Sequence, residues 1–381
     1  MTAWPEADEV RLLKRKVDEQ RWLHWCRFLS VCEPAETEAD LIARLRASYQ
    51  ATVTLMKSTS SSLTALDPNK FNPLSKVVGN PWEAAHKDVE QMDEIWKDVT
   101  RTFPERELFQ SAETQKSLQR VLFTWGKKAS RPYRQGLNEI VAIIFHAVSA
   151  DAALHDIEAI TFHIFERLMA IENVSGMFFG TSAPDENFTA KRCDAIFSGV
   201  IKREAPEIHR HLDSVAEVAP SLFLLRWTRL LFAREFHIED VIKLWDIFFA
   251  DFHVTGKFDL PDYTALAMVQ FVGKDLLRSD NSGCLRRLLK FPPVSDVLVL
   301  TKQAITTRDG IVFDVSVAPI PTQPVAPLVK SVSSFLSHDV WEEDLNLSEV
   351  VAELEASSVA ESIKAQIAKL RKICAKESNR N

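Results

Sequence analysis

From residue 17 onward, apolar side chains recur at intervals of three and four, the period of a helix with one buried face. Residues 17–31 carry Trp22, Leu23, Trp25, Cys26, Phe28 and Leu29, and residues 36–56 follow with Leu41, Ile42, Leu45 and Tyr49. The same period predicts helices over 88–100, 113–126, 138–149, 157–171, 190–201, 222–232, 238–249 and 261–277. Between 58 and 80 the chain turns polar and holds Pro68 and Pro73, which predicts a long surface loop. Alternating apolar and polar positions never persist beyond a few residues, and no internal repeat is present. The pattern predicts an all-α fold.

The composition changes after about Thr307. The stretch DVSVAPIPTQPVAPLVK holds four prolines, as an extended linker does. Beyond it, residues 345–376 carry Val350, Leu354, Ile363, Ile367, Leu370 and Ile373 at helical spacing, interrupted near Ser357-Ser358. This amphipathic helix either folds back on the preceding domain or serves a partner or coiled coil. The division expected is a helical extension over 1–19, a large helical domain over 20–310, a Pro-rich linker over 311–344 and an amphipathic helix with its tail over 345–381.

Bulk composition narrows the classes. With 381 residues, 46% of them hydrophobic, and 23 Phe beside 9 Trp, the chain can bury one large core or two modest ones. Only 10 Gly and 3 Tyr argue against a turn-rich β fold, and a net charge of -7 gives no sign of a nucleic-acid surface. The five cysteines (Cys26, Cys32, Cys193, Cys284 and Cys374) are scattered and unpaired in sequence, which predicts reduced thiols in a cytoplasmic setting. The first residues, MTAWPEADEVRLLKRK, place charges where a secretion signal needs an apolar run. The longest apolar run, 140–148, contains His146 and is too short to cross a bilayer.

Familiar chemistry is missing. GxxxxGK[ST], HExxH, GxGxxG and GxSxG do not occur, and Gly126-Lys127-Lys128 lacks the upstream glycine and the hydroxyl of a phosphate loop. His209-Arg210-His211 is too isolated for a metal cluster. No cofactor is expected, neither nucleotide nor metal.

Three segments carry more information. In DEIWKDVTRTFPE, Ile95 and Val99 share a helix face, and the period breaks at Arg101-Thr102-Phe103-Pro104. Thr102 through Glu105 fits a capping box, with Pro104 in the first turn of a new helix, so that Arg101 projects from a stiff turn. Taken alone, Arg101 reads as the partner of Asp98, three residues earlier on the same face. In RPYRQGLNEI a loop ends and an apolar helix begins. Gly136 permits a close approach and sets the Gln135 amide at the helix entrance, while the plain alternative is a solvated turn. In LLRWTRLLFAREFHIEDVIKLWDIFFAD, Trp227, Leu230, Leu231, Val241, Leu244, Trp245 and Phe248 read as core, with Arg229, Arg234 and Glu235 as ion-pair formers.

Together these segments resemble the TBC domain, the GTPase-activating module for Rab-type small GTPases. Ile95, Asp98, Arg101, Thr102 and Pro104 match the family signature IxxDxxRTxP in full. Tyr133, Gln135 and Gly136 match YxQG, and Asn138-Glu139 fit the positions that follow. Arg226-Trp227, Leu231-Phe232, Arg234-Glu235-Phe236 and Trp245-Asp246 match the third signature. The motifs stand in family order, and the likeness covers roughly residues 20–310. Leu137 departs from the family's methionine, and RWLHWCRFLS replaces a Gly-rich entry.

The resemblance implies a two-lobed helical fold and an activity exerted on a partner's active site. Arg101 would enter the GTPase as an arginine finger, and Gln135 would orient the attacking water as a glutamine finger. Asp98, Thr102, Pro104, Tyr133, Gly136, Trp227 and Arg234 would support them. GTP and magnesium would belong to the partner, a Rab in its GTP state, and recruitment to endomembranes would be peripheral and through that partner. The RTFPE run, Asn72-Pro73-Leu74-Ser75 and the LRWxRLLFxREF helix resemble the branch linked to endosomal sorting, which implies vesicle traffic and an endosomal coat or adaptor as a further partner. The rival expectations are a TBC fold that binds a Rab or coat without accelerating hydrolysis, and a scaffold whose work lies in the C-terminal helix.

Overall fold

The structure is a computed structural model that describes residues 20–33, 35–61, 81–150, 156–180 and 187–310. The N-terminal extension, most of the predicted 58–80 loop, the Pro-rich linker and the C-terminal amphipathic helix lie outside the described residues. Within them the chain is all-α. In chain order the helices are α1 (20–28), α2 (Glu38–Ser61), α3 (Pro81–Val99), α4 (Glu107–Gln110), α5 (Ala112–Lys128), α6 (Leu137–Ser149), α7 (Ile157–Met169) and α8 (Glu172–Phe179). They continue as α9 (Phe188–Asp194), α10 (Lys202–Glu204), α11 (Pro206–Arg210), α12 (Ser221–Arg229), α13 (Ile238–Thr255), α14 (Leu260–Phe271), α15 (Gly273–Leu276), α16 (Asn281–Leu289) and α17 (Leu298–Asp309).

The helices form two units, the first drawn from Met1–Phe178 and Leu230–Phe258 and the second from Phe179–Arg229 and Asp259–Asn381. At the centre of the first lies α6, where Leu137 to Phe145 and Ala147 to Val148 are all buried. A helix apolar on every side must be covered on every side. It is covered by α3, α5, α7 and α13. Helix α2 lays Leu41, Leu45 and Tyr49 inward and packs on α5 and α7. The Tyr49 hydroxyl donates to Glu158 Oε1 at 2.7 Å, and Arg120 Nε reaches the same oxygen at 2.8 Å. On α1, Trp25 is fully buried, sets its ring edge-on to Phe249 and donates from Nε1 to Asp246 Oδ1 at 2.7 Å. Arg21 Nε approaches both oxygens of Asp246 at 3.2 Å, so this carboxylate pins α1 to α13.

In the second unit, α14 runs against α17, and α12 packs on α9, α14 and α16. Arg192 Nη2 donates to Asp262 Oδ1 at 2.6 Å, and Arg308 Nη1 to Asp259 Oδ1 at 2.8 Å.

Several boundaries differ from the periodic reading. Helix α3 begins at Pro81, seven residues before the predicted 88, because proline suits a first helical position and the turns that follow need no apolar stripe. Helix α2 runs on to Ser61, into the predicted loop. The predicted helix 190–201 changes from α at Phe188–Asp194 to a wider π turn at Ala195–Ile201. The predicted helix 261–277 breaks at Val272, where a Cβ on Gly273 would lie 2.6 Å from Ile208 Cδ1.

The predicted helix 222–232 stops at Arg229. Leu231 and Phe232 take φ of 47° and 67°, and both are buried. Two successive non-glycine residues in the left-handed region cost about 1–3 kcal/mol each and persist only where neighbours impose them. Here Trp245, fully buried, donates Nε1 to the Leu231 carbonyl at 3.0 Å. Trp245→Phe is expected to lower unfolding stability by about 1–3 kcal/mol, because the carbonyl loses its partner in a dry site. Denaturant titration checks this. An unchanged midpoint would mean that the turn stands without the indole.

Candidate functional site

The arginine-bearing turn follows directly on α3. Thr100 and Arg101 still hydrogen-bond back to Trp96 and Asp98, and Phe103 then takes φ 44°. Arg106 N donates to the Phe103 carbonyl at 3.0 Å, and the Phe103 ring lies 5.4 Å from that of Phe109. Arg106 Nη2 reaches Glu239 Oε2 at 2.7 Å and ties the far end of the turn to α13. The capping box predicted over Thr102–Glu105 is not formed. The next helix starts at Glu107, Arg106 occupies its cap position without a side-chain bond, and Pro104 sits in the turn, outside any helix. Thr102 is buried and faces the protein, where its hydroxyl donates to the Asp98 carbonyl at 2.7 Å. The turn is stiff because of these contacts.

Arg101 Nη2 donates to Asp98 Oδ1 at 2.7 Å. The side chain of Arg101 is 55% exposed and that of Asp98 only 8%. A sheltered carboxylate therefore holds the inner side of a guanidinium that faces solvent. Asp98 Oδ2 lies 2.7 Å from the Tyr133 hydroxyl. Burial, and then the charge of Asp98, push the Tyr133 pKa far above its ordinary value, so the phenol stays a neutral donor. Burial, and then the same aspartate, also raise Glu94.

Tyr133 opens the second segment. Gln135 is exposed, and Gly136 caps α6 with φ 99°, a conformation glycine takes without strain. The close approach expected at Gly136 is made by Leu230 of the third segment: a Cβ at 136 would lie 2.8 Å from Leu230 Cδ2 and 3.5 Å from Phe178. Gly136→Ala is accordingly expected to cost about 1–3 kcal/mol in strain alone. A thermal or urea melt unaffected by the substitution would show that the loop relaxes without penalty.

Arg234 meets Glu139, in the first turn of α6. Its Nη2 donates at 2.7 Å and its Nε at 3.1 Å to both carboxylate oxygens, with the two side chains 20% and 11% exposed. The third segment thus braces the entrance of α6 through Leu230 and Arg234. Trp227 has a different place. It is a fully buried core residue of the second unit, edge-on to Phe223 and Phe291, and its part is packing. The structure therefore gathers Asp98, Arg101, Thr102, Tyr133, Gln135, Gly136 and Arg234 within the first unit. Elsewhere, His209 packs its ring 4.5 Å from that of Phe197, and among the described residues no cluster of three metal-ligating side chains occurs.

Asn138 is the residue whose part sequence reasoning missed. Its Oδ1 accepts from Gly136 N at 3.0 Å, and its Nδ2 donates to Thr102 Oγ1 at 2.8 Å. A buried asparagine two positions after a loop glycine, in an otherwise apolar helix, was the available signal.

Comparison with known proteins gives the family of the chain. The model of the Rab-GTPase-TBC domain family matches residues 74–277, more than half of the chain and inclusive of all three segments. TBC1 domain family member 5 of Homo sapiens is 30% identical over 278 residues, 62% of this chain and 34% of that protein. Its Mus musculus counterpart is 29% identical over 281 residues, with the same shares. The chain thus spans about a third of the length of these relatives. The crystal structure of the Ypt/Rab-GAP domain of Gyp1p shares the fold, with a TM-score of 0.59 at 18% identity over 76% of this chain and 87% of that one. By the extent of the family match and the order of its three motifs, this chain is a member of the Rab-GTPase-TBC domain family.

Proposed function

We propose that this chain is a GTPase-activating protein for a Rab-family small GTPase, lending one cation and one carboxamide to an active site it does not itself contain. The observation that carries the reading is the pairing of the exposed Arg101 with the sheltered Asp98, which is hydrogen-bonded in turn to the tyrosine two residues before Gln135. Small GTPases are slow because negative charge growing on the transferred phosphoryl group is under-compensated. An arginine inserted from a second protein is worth about 10³–10⁵ in rate, or roughly 4–7 kcal/mol of barrier. Asp98 fits the role of holding Arg101 in an extended rotamer before the partner arrives.

Gln135 would meet the attacking water. A carboxamide can accept from water through its oxygen and donate toward phosphate through its nitrogen, which neither a carboxylate nor an ammonium can do. GTP and magnesium enter with the partner, in its GTP-bound state. Peripheral recruitment to endomembranes through the Rab follows from the same reading. An endosomal setting, with a coat or adaptor as further partner, rests on the resemblance of the RTFPE run and the LRWxRLLFxREF segment to the endosomal-sorting branch.

The test is single-turnover GTP hydrolysis by a panel of purified, GTP-loaded Rabs, with and without the chain. Acceleration of at least one member is expected. Saturable binding of a Rab without acceleration would replace catalysis with a recruiting role.

A further inference from the structure

We infer that Asn138 is a positioning residue that locks the arginine-bearing turn to the glutamine-bearing loop, an inference that rests on the reading of Arg101 and Gln135 as the two donated groups. The protons in the network can be assigned one by one. Gly136 N–H can only donate, so the Asn138 atom 3.0 Å from it is the carbonyl oxygen. The Thr102 hydroxyl lies 2.7 Å from the Asp98 carbonyl, which can only accept, so its single proton goes there. Thr102 Oγ1 must then accept from Asn138, and the atom 2.8 Å away is the amide nitrogen. The Tyr133 hydroxyl lies 2.7 Å from Asp98 Oδ2 and 3.0 Å from Asn138 Oδ1, and its one proton goes to the nearer, charged oxygen.

Each of these four bonds has its own donor and its own acceptor, and the Asn138 amide fits in one orientation only. The two segments lie about thirty-six positions apart in the chain and are joined at two points, Asn138 to Thr102 and Tyr133 to Asp98. Thr102 directly follows Arg101, and Gly136 directly follows Gln135. One carboxamide therefore holds the chain neighbours of both exposed side chains. Because the amide is buried, a lost bond here is not replaced by water. Misplacing a reacting group by about an ångström costs about 10²-fold in rate.

The experiment combines hydrogen–deuterium exchange with Rab-stimulated hydrolysis on the full chain. Asn138→Ala removes both bonds. Asn138→Asp keeps the shape but sets an acceptor against the Thr102 oxygen. Thr102→Val removes the acceptor from the other side and serves if the Asn138 variants do not fold. The expected result is that peptides covering 100–106 and 133–137 lose protection together in each folded variant, whereas Thr102→Ser, which keeps the hydroxyl, retains it. On a responsive Rab, kcat should fall by about 10²-fold while KM changes little. Loosening confined to 133–137, or a loss carried entirely by KM, overturns the inference. If the unaltered chain stimulates no Rab, the activity reading fails, and the paired exchange pattern alone decides whether the lock exists.

Discussion

Arg101→Ala is expected to reduce stimulated hydrolysis on a responsive Rab by about 10³-fold or more, the share an arginine finger supplies. Arg101→Lys should lose most of that share as well. Its ammonium keeps the charge but cannot present the planar fork that meets two oxygens at once. The structure makes this a clean test. The Arg101 side chain is 55% exposed and donates to Asp98, while Asp98 keeps the Tyr133 hydroxyl when the arginine is gone. Loss of activity should therefore come with a melt close to that of the unaltered chain. Lysine should be milder than alanine for stability, since it can still face the carboxylate, yet nearly as severe for rate. Hydrolysis by both variants at the unaltered rate would remove Arg101 from the mechanism.

Gln135→Ala is the second large effect. Removing one preorganised hydrogen-bonding group from the site of developing charge costs about 10²–10³ in kcat. Gln135 is exposed at the end of a loop, and surface substitutions of this kind leave stability within about 0.5 kcal/mol. The fold, and the cap that Gly136 forms for α6, should survive. A sharper version uses a Rab whose own switch glutamine has been replaced. If Gln135 orients the water in trans, that Rab still responds to the unaltered chain and stops responding to Gln135→Ala. A Rab that loses its response together with its own glutamine would return the water to the GTPase and leave Gln135 a contact residue.

Much of this site could be read before any coordinates. The pairing of Asp98 with Arg101 is a matter of helical period, since residues three apart share a face. The apolar run after Gly136 announced an apolar helix, and Gly136 at its entrance announced a close approach, which Leu230 makes. The role of Thr102 was misread. In sequence it stands before a proline and three residues ahead of a glutamate, which is the spacing of a capping box. In the fold its hydroxyl turns inward to Asp98 and Asn138, because buried polar groups with geometrically good partners outcompete a cap in water. The end of α12 was misread for a related reason. Leu231 and Phe232 continue a helical stripe, but their backbone reverses under the hydrogen bond from Trp245, fourteen residues on.

The sequence by itself determined most of the helices and their inward faces and the three motifs, because these depend on spacing within a turn or two of chain; the chemistry proposed for Arg101 and Gln135 comes from the family resemblance those motifs carry. Only the tertiary structure decided which distant residues brace the two segments that carry Arg101 and Gln135. Asn138 against Thr102, Tyr133 against Asp98, Leu230 against Gly136 and Arg234 against Glu139 join residues that lie far apart along the chain. A hydrogen bond is settled by an ångström of distance and the direction of a lone pair, and neither is written in local periodicity.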